Sequence, residues 1–366
     1  MILSRISIVN FKNIAEAAMD FSQKVNCFLG NNGMGKTNIL DAIFYLSFCQ
    51  SSLSRTDHNT VRYGEDYMLL QGVYERAEKV EQIACAIQKG KRKSIKRNGK
   101  EYKKQSEHIG LLPLVMVSPA DWNLIVGGSE ERRRVIDRVI SQANHNYLEE
   151  LINYNRCIEQ RNAMLKQGLT DALLYESIDT FIARAAENIH KVRMEWIEKF
   201  TPIFMQYYNI ISDSNEIVRL DYRSELNETD AATLLSRNFE RDKMLGHTSQ
   251  GVHRDDFELM LGNELMRRTG SQGQCKTYTI ALRLAQFEFL KSLSGHTPIL
   301  LLDDIFDKLD AKRVANIMGI VSKPSFGQIF VTDTNREHID ETIRTIGSDY
   351  RIFFVEDGSC KCISNE

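Results

Sequence analysis

The stretch Val25-Asn-Cys-Phe-Leu-Gly-Asn-Asn-Gly-Met-Gly-Lys-Thr-Asn-Ile-Leu-Asp41 decides how the chain is read. Val25 to Leu29 is an apolar run with the length of a short buried strand. Gly30, Gly35, Lys36 and Thr37 complete G-x-x-x-x-G-K-[ST], and Ile39, Ala42, Ile43 and Leu46 continue at helical spacing. Strand, glycine loop and helix in that order predict a P-loop. The spacing follows from the chemistry. From Gly30 through Asn31, Asn32, Gly33, Met34 and Gly35 to Asn38, backbone N–H groups can converge on phosphate oxygens, and the helix N-terminus adds its partial positive charge. Lys36 is then placed for the β- and γ-phosphates and Thr37 for Mg²⁺, so ATP and Mg²⁺ are the expected cofactors.

The chain around this loop has 366 residues, enough for two domains or so with a sizeable core. A net charge of −2 gives no whole-molecule attraction to nucleic acid, so any such binding must rest on local patches. Seven scattered cysteines show no zinc or disulfide spacing, as expected of buried thiols in a reducing compartment. No apolar run approaches a membrane span and no signal-peptide core opens the chain; a cytoplasmic protein without membrane contact is expected.

Upstream of the loop, Ile2 to Phe11 alternates like a strand, and Met19 to Phe21 suggests a second. Downstream, a polar loop with Arg55 and His58 precedes strands at Met68–Arg76 and Val80–Gln88. Lys89 to Lys104 then holds nine Lys or Arg residues in sixteen positions around Asn98-Gly99, a hairpin turn signal. Lys91, Arg92, Lys93, Lys96 and Arg97 either contact phosphate backbone or form a solvated sheet edge.

After a buried strand near Leu111–Ser118, the period changes to helical. Ser129 with Glu130 and Glu131 starts a helix whose apolar stripe runs to Ile158. A second helix carries Ile178, Ile182, Ala185, Ile189, Val192 and Trp196 at heptad steps, with a turn at Gly168. The pair predicts an antiparallel arm, with Arg132, Arg133, Arg134 and Arg138 on its solvated face. α/β character returns in the last third. Ser271-Gln272-Gly273-Gln274 opens a long helix, and Ile299-Leu300-Leu301-Leu302-Asp303-Asp304 is an apolar strand ending in paired carboxylates. That end of a parallel strand carries the ligand crevice. Asp303 is expected to hold Mg²⁺ opposite Thr37, and Asp304 to orient or deprotonate the attacking water.

Ser271 to Gln274 resembles the signature motif of ABC-type ATPases, in which the serine and glycine grip a γ-phosphate held by the partner subunit; Asp307-Lys308-Leu309-Asp310 resembles their D-loop. With Asn10-Phe11-Lys12-Asn13, Gly110 to Pro113, Glu131 to Arg134 and His253-Arg254-Asp255-Asp256, nearly the whole chain resembles the RecF family of bacterial recombination mediators, relatives of SMC heads. The resemblance implies an α/β, ABC-type P-loop ATPase head with mixed sheets (residues 1–126 and 248–366) and an inserted helical arm (127–247). It also implies Lys12, Asn13, Gly273 and Gln274 as nucleotide contacts and Lys36, Asp303, Asp304 and Ser271 as the catalytic set. An ATP-dependent homodimer with slow hydrolysis is implied as well. So is binding to single-stranded, double-stranded and gapped DNA, with RecO and RecR as partners and RecA as the protein loaded. Two departures from the wider ABC pattern stand out: Asp304 replaces glutamate, and Thr332-Asp333-Thr334-Asn335 offers no switch histidine. The alternatives are an SMC-like head with another tethering role, a transporter ATPase subunit, or a monomeric P-loop kinase.

Overall fold

The computed structural model describes residues 1–54, 56–76, 79–214, 216–306, 309–336 and 349–363. The chain opens with β1 (Ile2–Phe11), β2 (Ile14–Asp20), β3 (Val25–Leu29) and α1 (Lys36–Phe48). There follow β4 (Tyr67–Arg76), β5 (Lys79–Gln88), β6 (Ser94–Arg97), β7 (Lys100–Glu101) and β8 (Leu114–Val117). Helices α2 (Trp122–Val126), α3 (Ser129–Ala143), α4 (His145–Lys166) and α5 (Ala172–Ser212) lead to β9 (Val218–Arg223), α6 (Ala231–Arg237) and α7 (Phe239–Leu245). The last third holds β10 (Asp256–Leu261), β11 (Glu264–Leu265), α8 (Met266–Thr269), α9 (Gln272–Ser294), β12 (Ile299–Asp303), α10 (Ala311–Val321), β13 (Ile329–Asp333), β14 (Tyr350–Glu356) and β15 (Ser359–Cys362).

Two compact units divide the chain: residues 1–121, 210–213 and 276–366, and residues 122–209 and 214–275. The second unit starts earlier and ends later than the 127–247 span read from the sequence. Its helices share a three-stranded sheet, β11-β10-β9, with residues on both sides of position 247.

The first unit is built on two six-stranded sheets, one antiparallel in the order β2-β1-β4-β5-β6-β7 and one in the order β15-β14-β3-β13-β12-β8. In the second sheet β14, β3, β13, β12 and β8 run parallel, and β15 is an antiparallel edge. The mixed α/β fold is the one expected. Strands β3, β8, β12 and β13 are buried at every position, which is why they read as unbroken apolar runs. β1 is covered less evenly and keeps its alternation. Helix α1 is buried almost all round, packed in one core with both sheets. Each fully buried side chain, such as Leu40, Ile43 or Leu46, contributes about 1.5–3 kcal/mol. Gln328, 1% exposed, ties the start of β13 to β1: its amide nitrogen donates to the Leu3 and Ser22 carbonyls, and its oxygen accepts from the Leu3 N–H.

In the second unit the apolar stripe expected to run unbroken to Ile158 is split between α3 and α4. Asn144 breaks it, its side chain accepting from the Tyr147 N–H to cap α4. α5 carries the heptad residues, and Gly168, at φ +65°, turns the chain after α4. The arginines read as a solvated face divide. Arg132 is buried and forms a two-pronged bridge to Asp256 at 2.7 and 2.9 Å, and Arg133 donates to the Asp255 carbonyl. Arg134 stays on the surface beside Glu131. Deeper still, Arg193 binds Asp137 and Asp255, and Arg161 binds Asp179 and Asp242.

Candidate nucleotide-binding site

Three parallel strands of the first unit deliver the site. Cα register places Asp303 of β12 opposite Thr332 of β13, and Thr332 opposite Phe28 of β3, one residue before the strand gives way to the glycine loop. The residues Asp303, Thr332 and Gly30 therefore lie at one end of one sheet, the carboxyl end, where ligands of parallel sheets bind.

The loop is shaped by close backbone approach. A Cβ on Gly30 would stand 2.3 Å from the Val355 carbonyl of β14, so no side chain fits. Gly35 has φ +112°, and a Cβ there would meet the Asn13 amide at 2.8 Å. Asn13 is thereby a brace. Its nitrogen donates to the Met34 carbonyl at 3.3 Å, and its oxygen accepts from Asn38 at 2.7 Å. The turn at Gly358 adds a second brace, donating its N–H to the same Met34 carbonyl. Asn31, Asn32 and Gly33 remain exposed.

Lys36, 7% exposed, folds back over the loop: Nζ donates to the carbonyls of Gly30 at 2.6 Å and Asn31 at 2.9 Å. Burial lowers its pKa, opposed by the negative charges of Asp304, Asp303 and Asp333. Neutral carbonyls are weak partners for a desolvated ammonium, and a phosphate would be a better one. Thr37 Oγ1 donates to Asp303 Oδ1 at 2.9 Å, and Thr332 Oγ1 donates to the same oxygen at 2.7 Å. Burial pushes the Asp303 carboxyl up, while the two hydroxyls and the Lys36 charge pull it down. A hydroxyl and a carboxylate converging in this way form the oxygen donor pair a hard divalent cation takes, so the residues present fit Mg²⁺. Thr332 also accepts from the Asp304 N–H at 3.0 Å. Asp304 stands at φ +47°, a left-handed conformation that aspartate tolerates better than most residues. One threonine hydroxyl thus holds the Asp303 carboxylate and the Asp304 backbone together.

Lys12 lies in the β1–β2 turn at φ +53°. Its ammonium is 2.6 Å from Asp41, a fully buried carboxylate of α1 that also accepts from Ser51 and Ser52. Ser271, Gly273 and Gln274 belong to the second unit. There the Ser271 N–H donates to the Gln274 side-chain oxygen at 2.8 Å, and the Gln274 N–H donates back to Ser271 Oγ at 3.2 Å. This is a reciprocal capping box at the start of α9. The basic hairpin divides into two groups. Lys93 reaches the Cys49 carbonyl at 2.6 Å and Asp57 at 2.7 Å, and Arg97 grips Glu81 through two nitrogens. Lys91, Arg92 and Lys96 are exposed. Arg55, Asp307 and Lys308 lie outside the described residues.

Thr332 and Asp41 were not singled out from the sequence as site residues. The Thr332 signal is a threonine one position before a strand-end aspartate, and it becomes visible only once the strand register is known.

The RecF/RecN/SMC N-terminal domain family matches residues 2–360. The DNA replication and repair protein RecF of Parabacteroides distasonis is 52% identical over 98% of each chain, and that of Bacteroides thetaiotaomicron 48% identical over the same shares. A solved structure described as the recombination mediator protein RecF with ATP, in the RecFOR pathway, superposes with a TM-score of 0.89 at 28% identity, covering 99% of this chain and 98% of the other. An Smc head bound to a ScpA winged-helix domain shares the fold at a TM-score of 0.60 and 17% identity, over 99% of this chain and 97% of that one. With a matching family model across nearly its whole length and relatives this similar, the chain belongs to the RecF family.

Proposed function

We propose that this protein is an ATP-driven switch of recombinational DNA repair, two copies closing on ATP to form a DNA-binding dimer. Convergence of Thr37, Thr332 and Asp303 beside an under-neutralised, buried Lys36 carries this reading. ATP-bound relatives of the same fold support it. Bound Mg²⁺ would supply charge neutralisation and orient the phosphates. The protein's own part is to hold phosphate oxygens on the N–H groups of residues 30–38 and on Lys36, and to seat the cation between Thr37 and Asp303. Asp304 is the candidate base. It is one methylene shorter than glutamate and tied by its backbone to Thr332, which suits slow turnover and a long-lived closed state. Ser271 and Gly273 grip the γ-phosphate of nucleotide bound by the other copy. Residues 1–126 and 248–366 act as the head and 127–247 as the arm. The closed dimer binds gapped DNA, with Lys91, Arg92 and Lys96 as backbone contacts, and works with RecO and RecR in loading RecA on the bacterial nucleoid.

Catalysis across the dimer is the test. Ser271→Arg should bind ATP as a monomer within about threefold of the wild type, while losing both dimerisation and turnover, because only the opposite copy needs that serine. Mixed with Lys36→Ala, it should recover part of the ATPase rate, since one composite site of the heterodimer is intact. Normal turnover by monomeric Ser271→Arg would overturn the reading.

A further inference from the structure

Gln274 is held in one orientation. Its side-chain oxygen accepts from the Ser271 N–H, and its nitrogen donates to Glu216 Oε1 at 2.6 Å. A carboxylate only accepts, so the amide nitrogen must face Glu216 and the oxygen must face the helix cap. The other Glu216 oxygen accepts from the Tyr208 hydroxyl at 2.7 Å, and Tyr208 is a fully buried residue of the last turns of α5. A continuous chain of hydrogen bonds therefore runs from α5 through Tyr208, Glu216 and Gln274 to Ser271. All of it lies within the second unit.

This arrangement matters because the cap holds Ser271 at the start of α9, in the loop that is to meet the partner's phosphate. Left alone, Gln274 would sample several rotamers, and Ser271 would be capped in only a fraction of them. A signature loop that arrives already ordered loses less conformational entropy when it meets nucleotide. Tyr208 belongs to a helix of 41 residues, about 60 Å at 1.5 Å per residue.

We infer that Glu216 is a positioning residue, which orders the Ser271–Gln274 cap for the partner's nucleotide and links its order to the end of α5 through Tyr208. The inference rests on the composite-site reading above. Glu216 is not expected to touch ATP.

The experiment measures the ATP concentration that gives half-maximal dimerisation, alongside ATP binding by the monomer. Glu216→Ala should raise that concentration about tenfold, in the range expected for losing a hydrogen bond to a charged group. Monomer binding should stay unchanged. Glu216→Gln, which keeps an oxygen for Gln274, should stay within about twofold of wild type. Tyr208→Phe should fall between the two. Because the defect belongs to the signature side, mixing Glu216→Ala with Lys36→Ala should restore one normal site, which a general loss of stability would not allow. If Glu216→Ala dimerises at the wild-type ATP concentration, or Glu216→Gln is as impaired as Glu216→Ala, the positioning role is overturned. Ser271→Arg separates the two ideas: if it dimerises normally the composite site itself fails, whereas if it is blocked while Glu216→Ala is normal, only the role of Glu216 falls.

Discussion

Lys36 and Arg193 are both buried cations, and the molecule treats them in opposite ways. Lys36 rests on two backbone carbonyls, and burial leaves its pKa below the ordinary lysine value. Burial also works against the charge of Arg193. Two carboxylates, Asp137 and Asp255, with the Tyr147 and Tyr222 hydroxyls, outweigh that cost and raise its pKa well above the ordinary value. Arg161 is likewise bonded to two carboxylates, Asp179 and Asp242. A cation meant to receive an incoming anion is hydrogen-bonded to neutral carbonyls, whereas one that pins helices together is bonded directly to carboxylates. The contrast separates a site from a scaffold without reference to any motif.

Two substitutions should break the contrast most sharply. Lys36→Ala should weaken ATP binding on the order of a hundredfold, the upper range for one charge-assisted hydrogen bond, and leave unfolding by denaturant nearly unchanged. Arg193→Met should do the reverse. It strands Asp137 and Asp255 without their counter-charge and should cost about 3–5 kcal/mol of stability, read from the shift in denaturant midpoint, with ATP binding by the folded protein intact. If Lys36→Ala unfolded as easily as Arg193→Met, the two cations would not differ in kind.

Smaller changes sharpen the site half of the contrast. Asp303→Asn keeps an oxygen for Thr37 and Thr332 but loses the charge, so Mg²⁺ dependence should move to higher concentrations by about tenfold. Asp304→Asn should retain ATP binding and accumulate the dimer on gel filtration. Thr332→Val removes the hydroxyl shared by the Asp303 carboxylate and the Asp304 backbone N–H and should slow turnover about tenfold, with ATP affinity within about threefold. Full activity in Thr332→Val would show that strand geometry alone places Asp303 and Asp304.

The smallest effect belongs to the basic hairpin, where the same distinction recurs among surface charges. Neutralising Lys91, Arg92 and Lys96 should lower the log–log salt slope of duplex binding by up to about 0.9 for each DNA phosphate that is no longer neutralised. Lys93 and Arg97 are committed to Asp57 and Glu81, so replacing them should loosen the hairpin before it changes the slope. An unaltered slope in the triple variant would return the segment to a solvated edge.

What could be read in advance followed from how local its cause was. β3, α1 and β12 were legible because continuous burial writes continuous apolar runs, and because a glycine loop cannot be spelled many ways. Thr332 was not, since its role depends on a parallel register across 29 positions between it and Asp303. Arg132 was read as solvated because a helix with mixed charges looks the same from sequence whether or not Asp256 lies opposite. Asn144 shows an intermediate case: the apolar period runs straight through it, yet Asn is a cap residue and Tyr147 supplies the N–H three residues later. Glu216 carried no local signal at all.

The place of β3 in its sheet has a consequence for how the protein is made. Its two neighbours are β13 and β14, whose residues leave the ribosome some three hundred positions after the glycine loop. At roughly 5–20 residues per second, about 15–60 seconds of synthesis separate the loop from the strands that flank it. Throughout that interval Gly30 has no β14 carbonyl beside it; Asp303 is made only near its end, and Thr332 later still. A nascent chain stopped after α10 would display the whole phosphate-loop sequence with no means of closing it on a nucleotide, so ATP cannot be captured by an unfinished copy.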